Sequence, residues 1–376
     1  MKSDSLLIIA DSDHDADMLY GSGLFIPDPF IFLRKNGSTH LVLSDLEIDR
    51  ATRECPQATI HSLSKLSQVA MTNGIRRPSL AHIACVLLKK LRIRQVNVPF
   101  NFSLGLAQTI QSHQPEIKIE TTIPFPERAI KTAPEIRKIK RILEITQQGL
   151  DAGIALIRKS KIKTKGQLFY RDQALTSERV RAEIHTEISQ NGGIPCNTIV
   201  AGGEQACDPH ERGHGRLKAH QSIIIDVFPR SESTGYFGDI TRTVVRGKAP
   251  QAIQNLYQAV SAAQKTGLKQ IRSGTKAIDV HQAVQNIFIE LGYRTERHKG
   301  HMQGFFHGTG HGLGLEIHEA PGIGSVTQDT LQTGHVVTVE PGLYYPGLGG
   351  VRLEDVVVVQ DKRPKKLTNY PHELEI

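Results

Sequence analysis

The sequence predicts two domains of different build, an α/β domain over residues 1–123 and an α+β domain over residues 124–376. Three observations carry this. A chain of 376 residues, at about 150 residues per domain, amounts to roughly 2.5 domains, so a single small domain is excluded. Before residue 122, short apolar strand-like runs alternate with helix-like stretches, the pattern of a layered sheet with some parallel neighbours. Residues 123–126 then read Ile-Pro-Phe-Pro, and two prolines so close favour an extended connector and disfavour helix on either side.

The elements follow in order. Residues 6–10 are Leu-Leu-Ile-Ile-Ala and read as a buried first strand; Asp11 follows at once, so the run lacks the length and cleavage site of a signal peptide. Residues 30–33 and 40–43 are apolar and flank Lys35-Asn36-Gly37-Ser38, where Asn-Gly marks a hairpin. A helix is expected from Ser79, with Leu80, Ile83, Leu87 and Leu91 on one face, followed by a strand at residues 96–98. Beyond the connector, Thr132 and Glu135 form a capping box, and Ile136, Ile139, Leu143 and Leu150 recur at helical spacing. Further helices are expected over residues 177–190, 251–271 and 277–291, ended by Asn191-Gly192, Gly274 and Gly292. Apolar runs at residues 223–225, 336–339 and 356–359 should form a mainly antiparallel sheet.

Composition narrows the classes. Apolar residues make 39% and charged residues 22% of the chain, which is ordinary globular usage and excludes disordered and collagenous chains. No stretch reaches the 18 apolar residues of a membrane span, so no membrane association is expected. The four cysteines have no CxxC pair and read as free thiols of a reducing cytoplasm. A net charge of +8 raises the question of an anionic partner.

The chemistry lies where acids interrupt apolar strands. Asp226 ends the run at residues 222–225, Asp239 opens residues 239–245, Glu340 ends residues 336–339, and Glu354-Asp355 opens residues 356–359. A carboxylate buried at the edge of a core strand is costly unless a cation or donors neutralise it. Beside them lies Phe-His-Gly-Thr-Gly-His-Gly-Leu-Gly-Leu-Glu-Ile-His-Glu at residues 306–319, with three histidines and glycines that allow close backbone approach. A phosphate loop is a poor reading, because no Gly-Lys-Ser/Thr follows. Oxygen-rich carboxylates with one imidazole suit hard or borderline divalent cations, Mn²⁺ first, with Zn²⁺, Co²⁺ or Fe²⁺ as the other candidates. Two such ions about 3.5–4 Å apart can share a bridging hydroxide, a nucleophile at neutral pH. The reaction class is hydrolysis.

These residues stand in four contexts: Gly-Tyr-Phe-Gly-Asp-Ile-Thr-Arg-Thr, His-Gly-Thr-Gly-His-Gly-Leu-Gly-Leu-Glu-Ile-His-Glu, Thr-Val-Glu-Pro-Gly-Leu-Tyr and Gly-Val-Arg-Leu-Glu-Asp. Together they resemble the pita-bread metallopeptidases, and within them the Xaa-Pro aminopeptidases and Xaa-Pro dipeptidases (prolidases), whose additional N-terminal domain residues 1–123 resemble. The resemblance implies a creatinase-like first domain, a pita-bread catalytic second domain and a homodimer. It also implies a peptide substrate with proline at its second position. Asp226 would bind one metal, His311 and Glu340 the other, and Asp239 and Glu354 would bridge them. Glu340 would also accept the proton of the attacking water. His210 would contact substrate, His318 would steady the tetrahedral intermediate, and His307 would line the leaving-group side. Thr241 and Arg352 would hold the carboxylates in place, whereas His214, His301 and Glu319 read as surface or structural residues.

The chain departs from the family pattern at two points. Phe228 stands where the family usually has glycine, and Asp226 and Asp239 are thirteen apart rather than eleven. The extra length should bulge within residues 229–234, and an even insertion keeps both aspartates on one strand face. The alternative function is a non-catalytic binding protein on the same fold, holding nucleic acid or a protein through basic clusters such as Arg137-Lys138 and Lys140-Arg141. Retention of all five metal-ligand candidates speaks against it and against a metal-free creatine-type amidinohydrolase, so nucleic acid is not the expected partner.

Overall fold

Residues 5–376 are described by the computed structural model, and they divide into two compact units, one ending at Arg128 and the other spanning Ala129–Ile376. In the first unit the run at residues 6–10 becomes β1 (Ser5–Ala10), an inner strand of a six-stranded sheet that also holds β2 (Phe30–Lys35), β3 (Ser38–Leu43), β4 (Thr59–Ser62), β5 (Gln95–Pro99) and β6 (Lys118–Thr122). The order is β4-β3-β2-β1-β5-β6. The β1–β2 and β2–β3 pairs are antiparallel, while the β3–β4, β1–β5 and β5–β6 pairs are parallel.

Apolar side chains on both faces explain why β1 is inner. Leu7, Ile31, Leu33 and Val42 face one core with helices α3 (Leu63–Thr72), α4 (Leu80–Lys90) and α5 (Leu104–His113). Leu6, Ile8, Phe32 and Leu41 face the other core, with α1 (Ala16–Ser22) and α2 (Ile48–Glu54). The β2–β3 turn places Asn36 at φ 49° and Gly37 at φ 78°, the left-handed pair that a two-residue hairpin requires. Leu91, expected within the Ser79 helix, instead caps its C-terminus. Cys55 and Cys85 are buried, whereas Cys196 and Cys207 are half-buried; all four are free thiols.

The second unit opens with α6 (Ala133–Arg158), started by the expected box: the Thr132 hydroxyl and backbone N–H donate to Glu135 Oε2 at 2.6 and 2.8 Å. α6 packs against α7 (Ser177–Gln190). The approach depends on Gly149 and Gly153, where an added Cβ would stand 2.7 Å from Ile188 Cγ1 and from Ile184 Cδ1. A second helix pair, α8 (Gln251–Gln270) and α9 (Ala277–Glu290), follows.

These helices accompany antiparallel sheets. Ile199–Gly202, Ile223–Val227 and Ile240–Val244 form one. Glu319–Ile323, Gly310–Gly312, Val336–Val339, Asp355–Val358 and Lys365–Lys366 form another. The hairpin of Gly342–Tyr345 and Gly349–Arg352 completes the frame that carries the acids. Among the described residues no helix is long and apolar enough to cross a membrane.

Candidate active site

Asp226 pairs across the sheet with Thr241, so their side chains share a face. Asp239, two residues before Thr241, is carried toward the same face by the alternation of a strand. The thirteen-residue spacing leaves this register intact. Between the two strands, Arg230–Ser231 pairs with Gly193–Ile194, and the Asp226–Thr241 and Val227–Ile240 pairs continue unshifted.

His311 is the middle residue of Gly310–Gly312, and its flanking glycines have a steric reason. A Cβ on Gly310 would fall 2.0 Å from Thr338 O, and one on Gly312 would fall 2.4 Å from Ala320 O. Only glycine fits on either side of His311. Backbone bonds seat the two glutamates: the Glu340 N–H donates to Thr309 O at 2.8 Å and the Glu354 N–H to Thr241 O at 3.1 Å.

The side chains converge. Asp239, His311 and Glu354 each bring a donor atom to one place, all within 4.8 Å of one another. His311 Nε2 lies 3.3 Å from Glu340 Oε1 and 3.6 Å from Asp239 Oδ2. Its Nδ1 lies 3.1 Å from Gly312 O, so Nδ1 is turned to the backbone and Nε2 is the nitrogen that faces the acids. Asp226 stands slightly apart from this group. Its Oδ2 accepts from Arg352 Nη2 at 2.7 Å, and its Oδ1 lies 2.8 Å from the Thr241 hydroxyl, which is also 3.0 Å from Glu354 Oε2. Thr241 and Arg352 therefore touch the acids they were expected to hold.

Electrostatics explain what this crowding requires. Burial, then the charges of Glu354, Asp226 and Glu340, raise the Asp239 carboxyl far above its ordinary range. Glu354 rises to about 8 through burial and the charges of Glu340 and Asp226. Burial also acts on Glu340, but hydrogen bonding and charge from His311, aided by His307 and Arg352, bring it down to about 2. His311 rises to about 9 because Glu340 and Glu354 outweigh its burial. Glu354 Oε1 is buried without a hydrogen-bond partner among the described residues. Carboxylates that repel one another around one imidazole, with one oxygen orphaned, match the donor chemistry of a divalent-cation site.

The acids open into a cavity of about 890 Å³. His210, His307 and His318 line it with all five expected ligands, while Thr241 lies buried beneath; Ile199, Phe228, Phe306 and Ile317 supply apolar wall. The His318 ring meets that of His311 edge-on, with centroids 4.3 Å apart. His307 Nε2 lies 2.9 Å from Tyr344 Oη, to which Arg352 Nη1 donates at 3.1 Å. Burial lowers His307 to about 4 and pushes Tyr344 to about 12. Tyr344 was not singled out from the sequence; its place four residues after Glu340 was the available signal.

His214 and His301 are exposed. Glu319 is structural rather than a surface residue. Its carboxylate is buried against Lys131 and accepts the Glu316 N–H at 3.3 Å, tying down the loop that leads to His318.

Metallopeptidase family M24 matches residues 137–361 of the chain. A Staphylococcus aureus (strain MRSA252) protein described as an uncharacterized peptidase is 31% identical over 246 residues, 65% of this chain and 63% of that protein. The Xaa-Pro dipeptidase of Pyrococcus furiosus is 32% identical over 250 residues, 66% of this chain and 65% of that protein. The matches thus span slightly less than two thirds of these relatives. Among solved structures, the X-Pro aminopeptidase from Thermotoga maritima superposes with a TM-score of 0.82, at 24% identity, covering 100% of this chain and 98% of that one. The prolidase from Pyrococcus horikoshii gives 0.80 at 25% identity, covering 99% and 95%.

Proposed function

From the premise that the chain belongs to metallopeptidase family M24, with the family's pita-bread fold, we propose that it hydrolyses the bond between an N-terminal residue and a following proline. The carrying observation is the buried group formed by Asp239, His311, Glu354 and the adjoining Glu340, with its orphaned Glu354 Oε1. Four acids and an imidazole gathered in one cavity are costly unless cations neutralise them. The Xaa-Pro dipeptidase and X-Pro aminopeptidase similarities support the substrate class.

Asp226, Asp239, His311, Glu340 and Glu354 would hold two divalent ions, with Mn²⁺ favoured by the oxygen-rich donor set. When bound, such ions acidify a water and polarise the scissile carbonyl. The chain's own residues do the rest. Glu340, beside His311 Nε2, would take the proton of the attacking water and return it to the departing proline nitrogen. His318, beside His311, donates toward the oxygen that gains charge, and His210 binds the substrate backbone. His307, held through Tyr344 to Arg352, shapes the wall on the leaving-group side. A proline amide carries no N–H, and none of these roles requires one. A cytoplasmic homodimer is part of the same proposal and is supported by the family resemblance alone.

The test is a purified protein reloaded with Mn²⁺ and offered Ala-Pro and Ala-Pro-Ala, with Asp239→Ala as control. Release of alanine by the wild type alone supports the proposal; no release from any Xaa-Pro peptide refutes it.

A further inference from the structure

The cavity is lined by charges of both signs. Its acids are the candidate metal ligands together with Asp208, and its permanent cations are Arg352 and Arg212. Arg352 is already engaged, donating to Asp226, Tyr344 and the Pro209 carbonyl. Arg212 differs: among the described residues its guanidinium has no hydrogen bond or ion pair. The nearest acids in sequence are occupied elsewhere, since Asp208 Oδ1 accepts the His210 N–H at 3.1 Å and Glu211 Oε1 accepts the Gly213 N–H at 3.0 Å.

The backbone under Arg212 is nonetheless fixed. Its carbonyl accepts from the Val200 N–H at 3.0 Å and from Arg181 Nη1 at 2.5 Å, and Arg181 Nη1 also reaches Gly213 O at 2.8 Å. Gly213 has φ +78°, and a Cβ there would stand 1.8 Å from Val200 O, so the loop is seated directly on the Ile199–Gly202 strand. Arg181 shares this neighbourhood with Glu178 and Glu211 as well as Arg212, so charges of both signs surround the loop. The Arg212 side chain is itself exposed; lining the cavity from a fixed backbone, without an internal partner and on the loop that also carries His210, it is available to an external anion. Guanidinium geometry matches a carboxylate through two parallel donors.

Resting on the proposed Xaa-Pro activity, we propose that Arg212 determines specificity by binding the free C-terminal carboxylate of an Xaa-Pro dipeptide. The substrate then lies across the cavity with its scissile carbonyl at the acid cluster and its carboxylate at Arg212. Dipeptides are preferred over chains extended beyond proline, whose carboxylate lies farther away.

Two readouts test this on Mn²⁺-loaded protein. In cleavage, the ratio of kcat/KM for Ala-Pro over Ala-Pro-amide is expected to exceed unity by about tenfold or more, through KM. Arg212→Met collapses that ratio toward one, and Arg212→Lys keeps part of it, with thermal midpoints confirming that both variants fold. An unchanged ratio in Arg212→Met, or equal loss on acid and amide, overturns the proposal. In calorimetry, wild type binds L-proline about tenfold more tightly than L-prolinamide and Arg212→Met binds both alike; equal binding by wild type overturns it. Calorimetry needs no turnover, so a wild type that fails to cleave would sink the proposed activity, while its binding of proline against prolinamide still decides the role of Arg212.

Discussion

Glu354 and Asp355 are neighbours where the strand Asp355–Val358 begins, and successive side chains of a strand leave on opposite faces. Both carboxylates are buried, yet their surroundings are opposite. Asp355 accepts from Arg242 Nη2 at 3.0 Å and from the Thr368 hydroxyl at 2.8 Å, with Lys366 Nζ at 2.9 Å and His372 Nε2 at 3.3 Å. Despite its burial, these partners hold it far below the ordinary carboxylate range. Glu354 has the Thr241 hydroxyl on one oxygen and, among the described residues, nothing on the other. Surrounded by acids, it is pushed up to about 8 by burial and by Glu340 and Asp226. One acid is satisfied within the chain; the other is left among acids that repel it. The first unit makes the same point by contrast, because its described buried polar side chains are Ser5, Ser12, Ser22 and Gln114, without an acid.

That contrast can be broken by mutation. Glu354→Gln should cut Xaa-Pro hydrolysis by about 10³-fold, the several kcal/mol that a metal site supplies, while the unfolding midpoint of metal-free protein holds or rises because a repelled charge is removed. Asp355→Ala should do the reverse, costing about 3–5 kcal/mol of stability by leaving Arg242 buried and unpaired, a loss that denaturant unfolding reads. If both variants fail in the same way, the distinction between the two faces is wrong. Thr241→Val, which frees one oxygen each of Asp226 and Glu354, should weaken metal affinity about 10–100-fold, measured by metal titration.

A smaller effect lies away from the acids. His335 is buried, its Nδ1 accepts the Gln332 N–H at 3.1 Å, and burial with the Lys131 charge lowers it from 6.5 to about 4. A histidine whose folded pKa is depressed binds its proton more readily when unfolded. Its stabilising contribution is complete above pH 6.5 and is lost as the pH falls toward 4. His335→Gln should therefore flatten the decline of the thermal midpoint across that interval.

Local signals were legible in the sequence. The Thr132–Glu135 box started α6, Asn191 ended α7, and Asn36-Gly37 turned the first hairpin. Each is a contact within a few residues, fixed by backbone geometry. The four acids were also legible as interruptions of apolar strands, whereas His311 was singled out among the three histidines of its segment by the family resemblance. What could not be read was the choice of distant partners. Asp355 finds Arg242, 113 residues away, and Glu319 finds Lys131, 188 residues away. Nothing in Glu354-Asp355 itself indicates which acid is neutralised within the chain, since that depends on which face each side chain takes. Tyr344 escaped for a similar reason: Arg352 comes from the facing strand of its hairpin, and His307 from the segment that the Gly304–Tyr344 bridge brings alongside.

The most direct measurement is the metal retained after equilibrium dialysis against Mn²⁺, compared for wild type, Asp239→Ala and Asp355→Asn. The acid cluster predicts two ions per chain in the wild type, fewer or none in Asp239→Ala, and wild-type occupancy in the folded fraction of Asp355→Asn. Retention of no ion by the wild type, or equal retention by Asp239→Ala, would contradict it.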